Sequence, residues 1–182
     1  MAEQMTRTIT QVLREQHELI SDLFDQVGMS TGDQRVEVFD CLRATLAVHE
    51  TAEEELVHPA VRRMGKDAAA AIEARLEEER AAKRMLSTLE RMGVDAEGFD
   101  DLFADFQASV LEHAEAEEDE VFPFLDQGLR DEDQRTMADT FEVLEQMAPT
   151  HPHPHGPESA LGNLVIGPFV AMVDKVRDAI KR

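Results

Sequence analysis

Apolar residues recur every three or four positions along most of the chain, which is the period of an amphipathic α-helix. Stretches with this period cover residues 8–27, 33–58, 67–92, about 97–128 and 131–147. The connections between them are short, so neighbouring helices should run antiparallel. The pattern therefore predicts an all-α protein, an up-down-up-down four-helix bundle with additional C-terminal helices.

The predicted helix ends rest on residues that begin or interrupt helices. Asp33 is the predicted N-cap of the second helix, and Pro59 with Gly65 should end it. Gly93 should cap the third helix, and Pro123 should kink or end the fourth. Residues 1–128 are thus assigned to the bundle, 129–148 to a fifth helix and 149–182 to a His/Pro-rich strap followed by an amphipathic helix.

One polar motif interrupts the apolar faces twice. Residues 46–59 read LAVHETAEEELVHP and residues 110–123 read VLEHAEAEEDEVFP. The two stretches align His49 with His113 and Glu53 with Glu117, four residues apart in each copy. This spacing places imidazole and carboxylate on one helix face, in phase with the surrounding leucine, valine and phenylalanine residues. Because buried charges are costly without a partner, the pairs predict a bound cation.

The first and third helices each place one polar residue on an apolar line, His17 and Glu79 respectively. Six candidate metal ligands should therefore meet inside the bundle: His17, His49, Glu53, Glu79, His113 and Glu117. Bridging carboxylates flanked by imidazoles suit two iron ions better than one zinc ion, which prefers four closed ligands that often include cysteine. Glu79 can also be read as an exposed residue of an acidic run, with Glu78 as its rival. His58 lies off the apolar line and is predicted to be exposed.

Composition limits the partners. The chain has 182 residues, a formal net charge of −21 and one cysteine, Cys41, so an internal disulfide framework is excluded. The negative charge argues against nucleic acid and anionic membranes as partners. With no signal peptide and no long apolar span in the sequence, we expect a cytoplasmic protein.

His17, His49-x-x-x-Glu53 and His113-x-x-x-Glu117, with a proline after each motif, resemble the hemerythrin-like (HHE) domain over residues 8 to about 127. The resemblance implies a four-helix bundle that holds a non-haem di-iron centre with an oxo or hydroxo bridge. It implies that Glu53 and Glu117 bridge the irons and that His17, His49 and His113 are terminal ligands.

The chain departs from the family pattern on the third helix. The family usually has histidine within a Glu-Glu-His stretch there, whereas residues 77–86 read EEERAAKRML and the histidine position falls on Glu79. Either Glu79 replaces the missing ligand, or solvent fills the place. A strap histidine, His151, His153 or His155, could also reach it, although an extended linker explains that His/Pro alternation better.

A carboxylate in place of imidazole adds negative charge, which favours ferric iron over a durable diferrous state. We therefore expect a protein that reacts with dioxygen or hydrogen peroxide, with a catalase- or peroxidase-like activity among the reactions it could support. An iron- or oxygen-sensing interaction module and an oxygen-binding protein are the alternatives. The apolar face of the last helix must be covered, and a homodimer through that helix would cover it.

Overall fold

The computed structural model describes residues 7–147, and all the regular structure in that range is helical. The predicted strap, with His151, His153 and His155, and the predicted C-terminal amphipathic helix lie outside the described residues. Within this range, no helix is both long enough and apolar enough to cross a membrane.

Seven α-helices occupy the described range: α1 (Ile9–Met29), α2 (Gly32–Ala52), α3 (His58–Arg62), α4 (Lys66–Met92), α5 (Phe99–Glu120), α6 (Phe122–Gly128) and α7 (Asp131–Met147). A π-helical turn, Glu53–Val57, joins α2 to α3 without a break, and α6 follows α5 after Val121. The chain thus forms four long helical rods followed by α7. This confirms the predicted all-α bundle with an additional helix.

The helix ends follow local chemistry. The Thr8 side chain accepts a hydrogen bond from the Gln11 N–H, and the Gln11 side chain bonds back to the Thr8 N–H, which forms a capping box at the start of α1. Gly93, with φ of +79°, ends α4 as predicted. The prediction for Asp33 is wrong, because α2 already begins at Gly32 and Thr31 is its N-cap residue. Asp33 instead lies in the first turn, where its negative charge interacts favourably with the positive end of the helix dipole.

The second rod does not end at Pro59 as predicted; it continues through the π turn to Arg62. A proline has no N–H for the carbonyl four residues earlier, and in a regular α-helix its ring collides with that carbonyl. Here the spacing of the backbone hydrogen bonds increases from four to five residues before the proline. The His58 N–H donates to the Glu53 carbonyl oxygen, five residues earlier. The proline is thereby accommodated in the first turn of α3.

A polar layer divides the core of the bundle into two apolar clusters. One cluster surrounds Leu13, Leu56 and Phe122 and includes the buried face of α7, which packs on α1 and α2. The other surrounds Phe24 and Phe106 at the opposite side of the layer. The candidate ligands lie between the two clusters, at the middle of the rods.

Candidate metal centre

Four of the six predicted ligands form one buried cluster. One side-chain ligand atom from each of His17, His49, Glu53 and Glu117 lies within 4.8 Å of the others. All four residues are almost fully buried. Because they come from α1, the second rod and α5, the cluster forms only when the bundle is assembled. We call this cluster the first half-site.

The other two predicted ligands, Glu79 and His113, lie beside this cluster rather than within it. His113 Nε2 is 3.5 Å from Glu117 Oε1, whereas His17 Nε2 faces the other oxygen of the same carboxylate, Oε2, also at 3.5 Å. Glu117 therefore lies between two groups of side chains. We call the group formed by Glu79, His113 and the neighbouring His58 the second half-site.

The prediction that His58 is exposed is wrong, because only 2 % of its surface is accessible. Its Nε2 lies 3.6 Å from Glu79 Oε1. The prediction assumed an uninterrupted α-helical period, which the π turn breaks. The sequence does contain a signal for burial, since the aligned residue in the second copy of the motif is Phe122, an apolar residue.

The site contains four imidazole–carboxylate pairs with similar separations. In addition to the two pairs at Glu117, His49 Nε2 lies 3.4 Å from Glu53 Oε2 and His58 Nε2 lies 3.6 Å from Glu79 Oε1. These distances exceed an ordinary hydrogen bond of about 2.7–3.2 Å. They are close to the separation of two ligand atoms that bind the same ion. Two such atoms, each about 2.1 Å from the ion, lie roughly 3–3.5 Å apart.

Several polar atoms of the site are buried and have no hydrogen-bond partner among residues 7–147. They are His17 Nε2, His49 Nδ1, both carboxylate oxygens of Glu53, His58 Nε2, Glu79 Oε1 and Glu117 Oε2. Each such atom costs about 1–3 kcal/mol when nothing satisfies it, and more when it is charged. Nitrogen and carboxylate oxygen atoms clustered in this way fit one or two divalent cations, which would satisfy all of them except His49 Nδ1, because His49 faces Glu53 with its other nitrogen.

Burial keeps two imidazoles of the site, those of His49 and His58, in the form that binds metals, whereas burial acts to lower the pKa of His17 but Glu117 and Glu118 outweigh it and raise that pKa. Burial, together with the charge of His17, lowers the pKa of His49 to about 3. Burial also lowers the pKa of His58. At neutral pH both rings are therefore uncharged, and each has a nitrogen lone pair for a cation.

The carboxylates respond in opposite directions. Burial and the nearby charges of Glu117 and Glu79 raise the pKa of Glu53 well above its usual value, and burial raises the pKa of Glu79 to about 7. Burial also acts to raise the pKa of Glu117, but the nearby imidazoles of His17, His113 and His49 outweigh it and lower that pKa to about 2. These shifts favour protons on Glu53 and Glu79, which a cation would displace on binding.

Two outer carboxylates fix the orientation of two imidazoles. Glu118 Oε1 lies 2.8 Å from His17 Nδ1, and Glu78 Oε2 lies 3.0 Å from His113 Nδ1. A proton on each Nδ1 leaves Nε2 free to face the site, which is the usual outer-shell arrangement of metal-bound histidine. Arg14 and Arg75 in turn contact Glu118 and Glu78. Glu78, the rival of Glu79, therefore lies on the outer side of His113.

A small cavity adjoins the centre. Its volume is about 30 Å³, and its wall includes His17, His49, Glu79, His113 and the apolar side chain of Val110. A cavity of this size has room for one or two molecules as small as water and is far below the hundreds of Å³ that organic ligands occupy. A larger hollow of about 230 Å³ near Met64 and Phe124 has no titratable side chain in its wall.

The comparisons with known proteins agree with this geometry. The family model of the hemerythrin HHE cation binding domain matches residues 8–125. An uncharacterised hemerythrin-like protein of Schizosaccharomyces pombe is 27 % identical over 179 residues, which cover 98 % of this chain and 88 % of that protein.

The crystal structure of a hemerythrin HHE cation binding domain-containing protein from Mycobacterium kansasii has the same fold. Its TM-score is 0.69 at 24 % identity, and the match covers 92 % of this chain and 98 % of that one. The family model carries the assignment, since it spans most of the chain and includes both copies of the His-x-x-x-Glu motif. The chain belongs to the hemerythrin HHE cation-binding domain family.

Proposed function

We propose that this protein holds two iron ions between its half-sites and reacts with dioxygen or hydrogen peroxide. The observation that carries the proposal is the set of four imidazole–carboxylate pairs 3.4–3.6 Å apart, with Glu117 turned to both half-sites. Imidazole nitrogen and carboxylate oxygen without thiolate favour iron or manganese over the soft metals. Iron, when bound, supplies the electrons and an open coordination position for an oxygen ligand.

The size of the adjoining cavity supports a small inorganic substrate. About 30 Å³ beside His17, His49 and His113 admits a diatomic molecule or peroxide and excludes organic substrates. Val110 and Leu46 line it with apolar surface, which limits the water that can enter. These walls favour reaction with an oxygen species over hydrolysis of a larger compound.

The charge of the site favours redox turnover over oxygen storage. Three carboxylates, Glu53, Glu79 and Glu117, are buried at the centre. Their negative charge stabilises ferric iron relative to ferrous iron, so a diferrous state would react readily with an oxidant. This supports peroxide or dioxygen chemistry and argues against reversible oxygen carriage.

One cationic side chain lies beside the centre. Lys83 Nζ lies 3.5 Å from Glu79 Oε2 and contacts Glu50 and Glu54 at 3.0 and 2.9 Å. Burial acts to lower the pKa of Lys83, but Glu50 and Glu54 outweigh it and raise that pKa above its usual value. Lys83 therefore stays charged at neutral pH, and its ammonium group lies next to the carboxyl group of Glu79.

The test is metal content per chain, together with the near-ultraviolet spectrum before and after anaerobic reduction. We expect two irons per chain, absorption bands that bleach on reduction, and hydrogen peroxide breakdown faster than that of free iron in the same buffer. Glu53→Gln should lose all three properties, whereas Glu37→Gln, an exposed substitution in α2 of the same rod, should keep them. One zinc ion per chain, or no metal after reconstitution with ferrous iron, would overturn the proposal.

A further inference from the structure

We infer that His58 is itself a metal ligand, and that it supplies the second half-site with the imidazole that α4 lacks. The inference rests on the proposed function, because it concerns the coordination of the same centre. Its particular content is that the second ion is held by His58, Glu79 and His113, together with oxygens of the shared carboxylates.

The first step is the position of the side chain. His58 is 2 % exposed, and its Nε2 has no hydrogen-bond partner among the described residues. The nearest anionic atom is Glu79 Oε1 at 3.6 Å, an atom that is itself buried without a partner. Two unpartnered atoms that can each offer a lone pair, at this separation, are too far apart for a hydrogen bond and well placed to bind one ion between them.

The second step is the backbone that carries His58 there. His58 follows His49 by nine residues, which is about 2.5 turns of α-helix and would place the two side chains on opposite faces. The π turn over Glu53–Val57 changes this angular relation. Its hydrogen bond joins the His58 N–H to the Glu53 carbonyl oxygen, five residues earlier, and so places His58 above Glu53. The irregular turn thus brings a histidine to the interior from a position that a regular helix would leave outside.

The third step is a comparison of the two motif copies. His58 aligns with Phe122, which is fully buried and stacks on His17 with ring centroids 5.7 Å apart. The first half-site therefore pairs an imidazole from α1 with a phenyl ring after the motif, whereas the second pairs Glu79 from α4 with an imidazole after the motif. Each pair thus contains one imidazole. In the first half-site it comes from the helix that faces the motif, and in the second it comes from the residue after the motif.

The experiment is an anaerobic titration with ferrous iron of the full-length protein and of His58→Phe, followed by metal counting after gel filtration and by absorption spectroscopy. We expect the wild type to bind two equivalents. The variant should keep the first and bind the second at least about 100-fold more weakly, since even an outer partner of a metal ligand typically contributes about 10–100-fold to affinity. The double variant His58→Phe/Glu79→His reproduces the pairing of the first half-site, and we expect it to regain the second equivalent.

The outcomes separate this inference from the proposed function. A wild type that binds no iron refutes the proposed function, and the inference falls with it. A wild type and a His58→Phe variant that bind two equivalents with equal affinity overturn only the role of His58. A loss that Glu79→His does not restore also overturns it, since the loss would then come from damaged packing. If His58→Phe does not fold, as judged by circular dichroism, His58→Gln serves in the same titration.

Discussion

Each half-site contains one copy of the same His-x-x-x-Glu motif, and the two differ in the backbone conformation that follows the motif. After His49 and Glu53 the helix widens into a π turn, and a histidine enters the core. After His113 and Glu117 the helix remains regular to Glu120 and breaks at Val121, and a phenylalanine enters the core. The repeated motif thus determines where its own histidine and glutamate lie. The backbone after the motif determines which further side chain, His58 or Phe122, reaches the centre.

The largest expected effect removes the group that both half-sites share. Glu117 turns one oxygen to His17 and the other to His113, so Glu117→Gln should weaken the binding of both ions by at least about 100-fold. Iron per chain after gel filtration measures the loss.

Glu112→Gln is the matched control, because Glu112 lies on the same helix but is exposed. A variant of Glu117 that still retained one tightly bound iron would show that this carboxylate serves a single half-site. Glu117 would then not be a ligand common to both half-sites.

A smaller effect should distinguish the half-sites from each other. Glu118→Gln removes the charged partner of His17, and Glu78→Gln removes that of His113. Because outer-shell partners typically contribute about 10–100-fold to metal affinity, and an amide oxygen still accepts a hydrogen bond, we expect a loss near 10-fold for one ion in each variant.

Competition with a chelator of known affinity measures both binding constants. Glu115→Gln, which is exposed on α5, provides the baseline. If either outer substitution weakened both ions equally, the two half-sites would be coupled more closely than their separate outer partners indicate.

The smallest effect concerns stability without metal. The pKa of Glu79 is raised by burial to about 7, so the neutral carboxyl is favoured in the folded protein. Its contribution to the free energy of unfolding is present below its ordinary pKa and is lost as the pH rises through about 7. Glu79→Gln remains neutral, and its stability relative to wild type should therefore rise between pH 5 and pH 8, by at most about 3 kcal/mol.

Urea unfolding of chelator-treated proteins at the two pH values provides the measurement. Glu77→Gln, at an exposed position two residues earlier, should show no such difference between the two pH values. An equal stability difference between Glu79→Gln and wild type at both pH values would mean that Glu79 is not desolvated.

The fold was predictable from sequence because it depends on local periodicity. The rods, the glycine end of α4 and the inward position of His17, His49 and Glu53 all follow from apolar spacing. The π turn was not predictable in this way, because a change of phase over five residues leaves no periodic trace. The burial of His58 was missed for that reason.

The choice between Glu78 and Glu79 also required the structure. Neighbouring residues on a helix differ by about 100° in direction, and an acidic run offers carboxylates in every direction. Glu79 lies on the inner side and Glu78 on the outer side of His113, and these positions depend on how α4 rotates against α5. The sequence could name the residue types but could not fix that rotation.

The polar layer that separates the two apolar clusters has a consequence for folding. Each cluster buries its own set of side chains, and without a cation the layer between them contributes repulsion and unsatisfied atoms. The two ends of the bundle are then joined by the continuous helices and by outer polar contacts such as His17–Glu118 and His113–Glu78, which permits them to open as separate cooperative units. Bound ions would connect all four rods at mid-height, so the metal would make the bundle melt as a single unit.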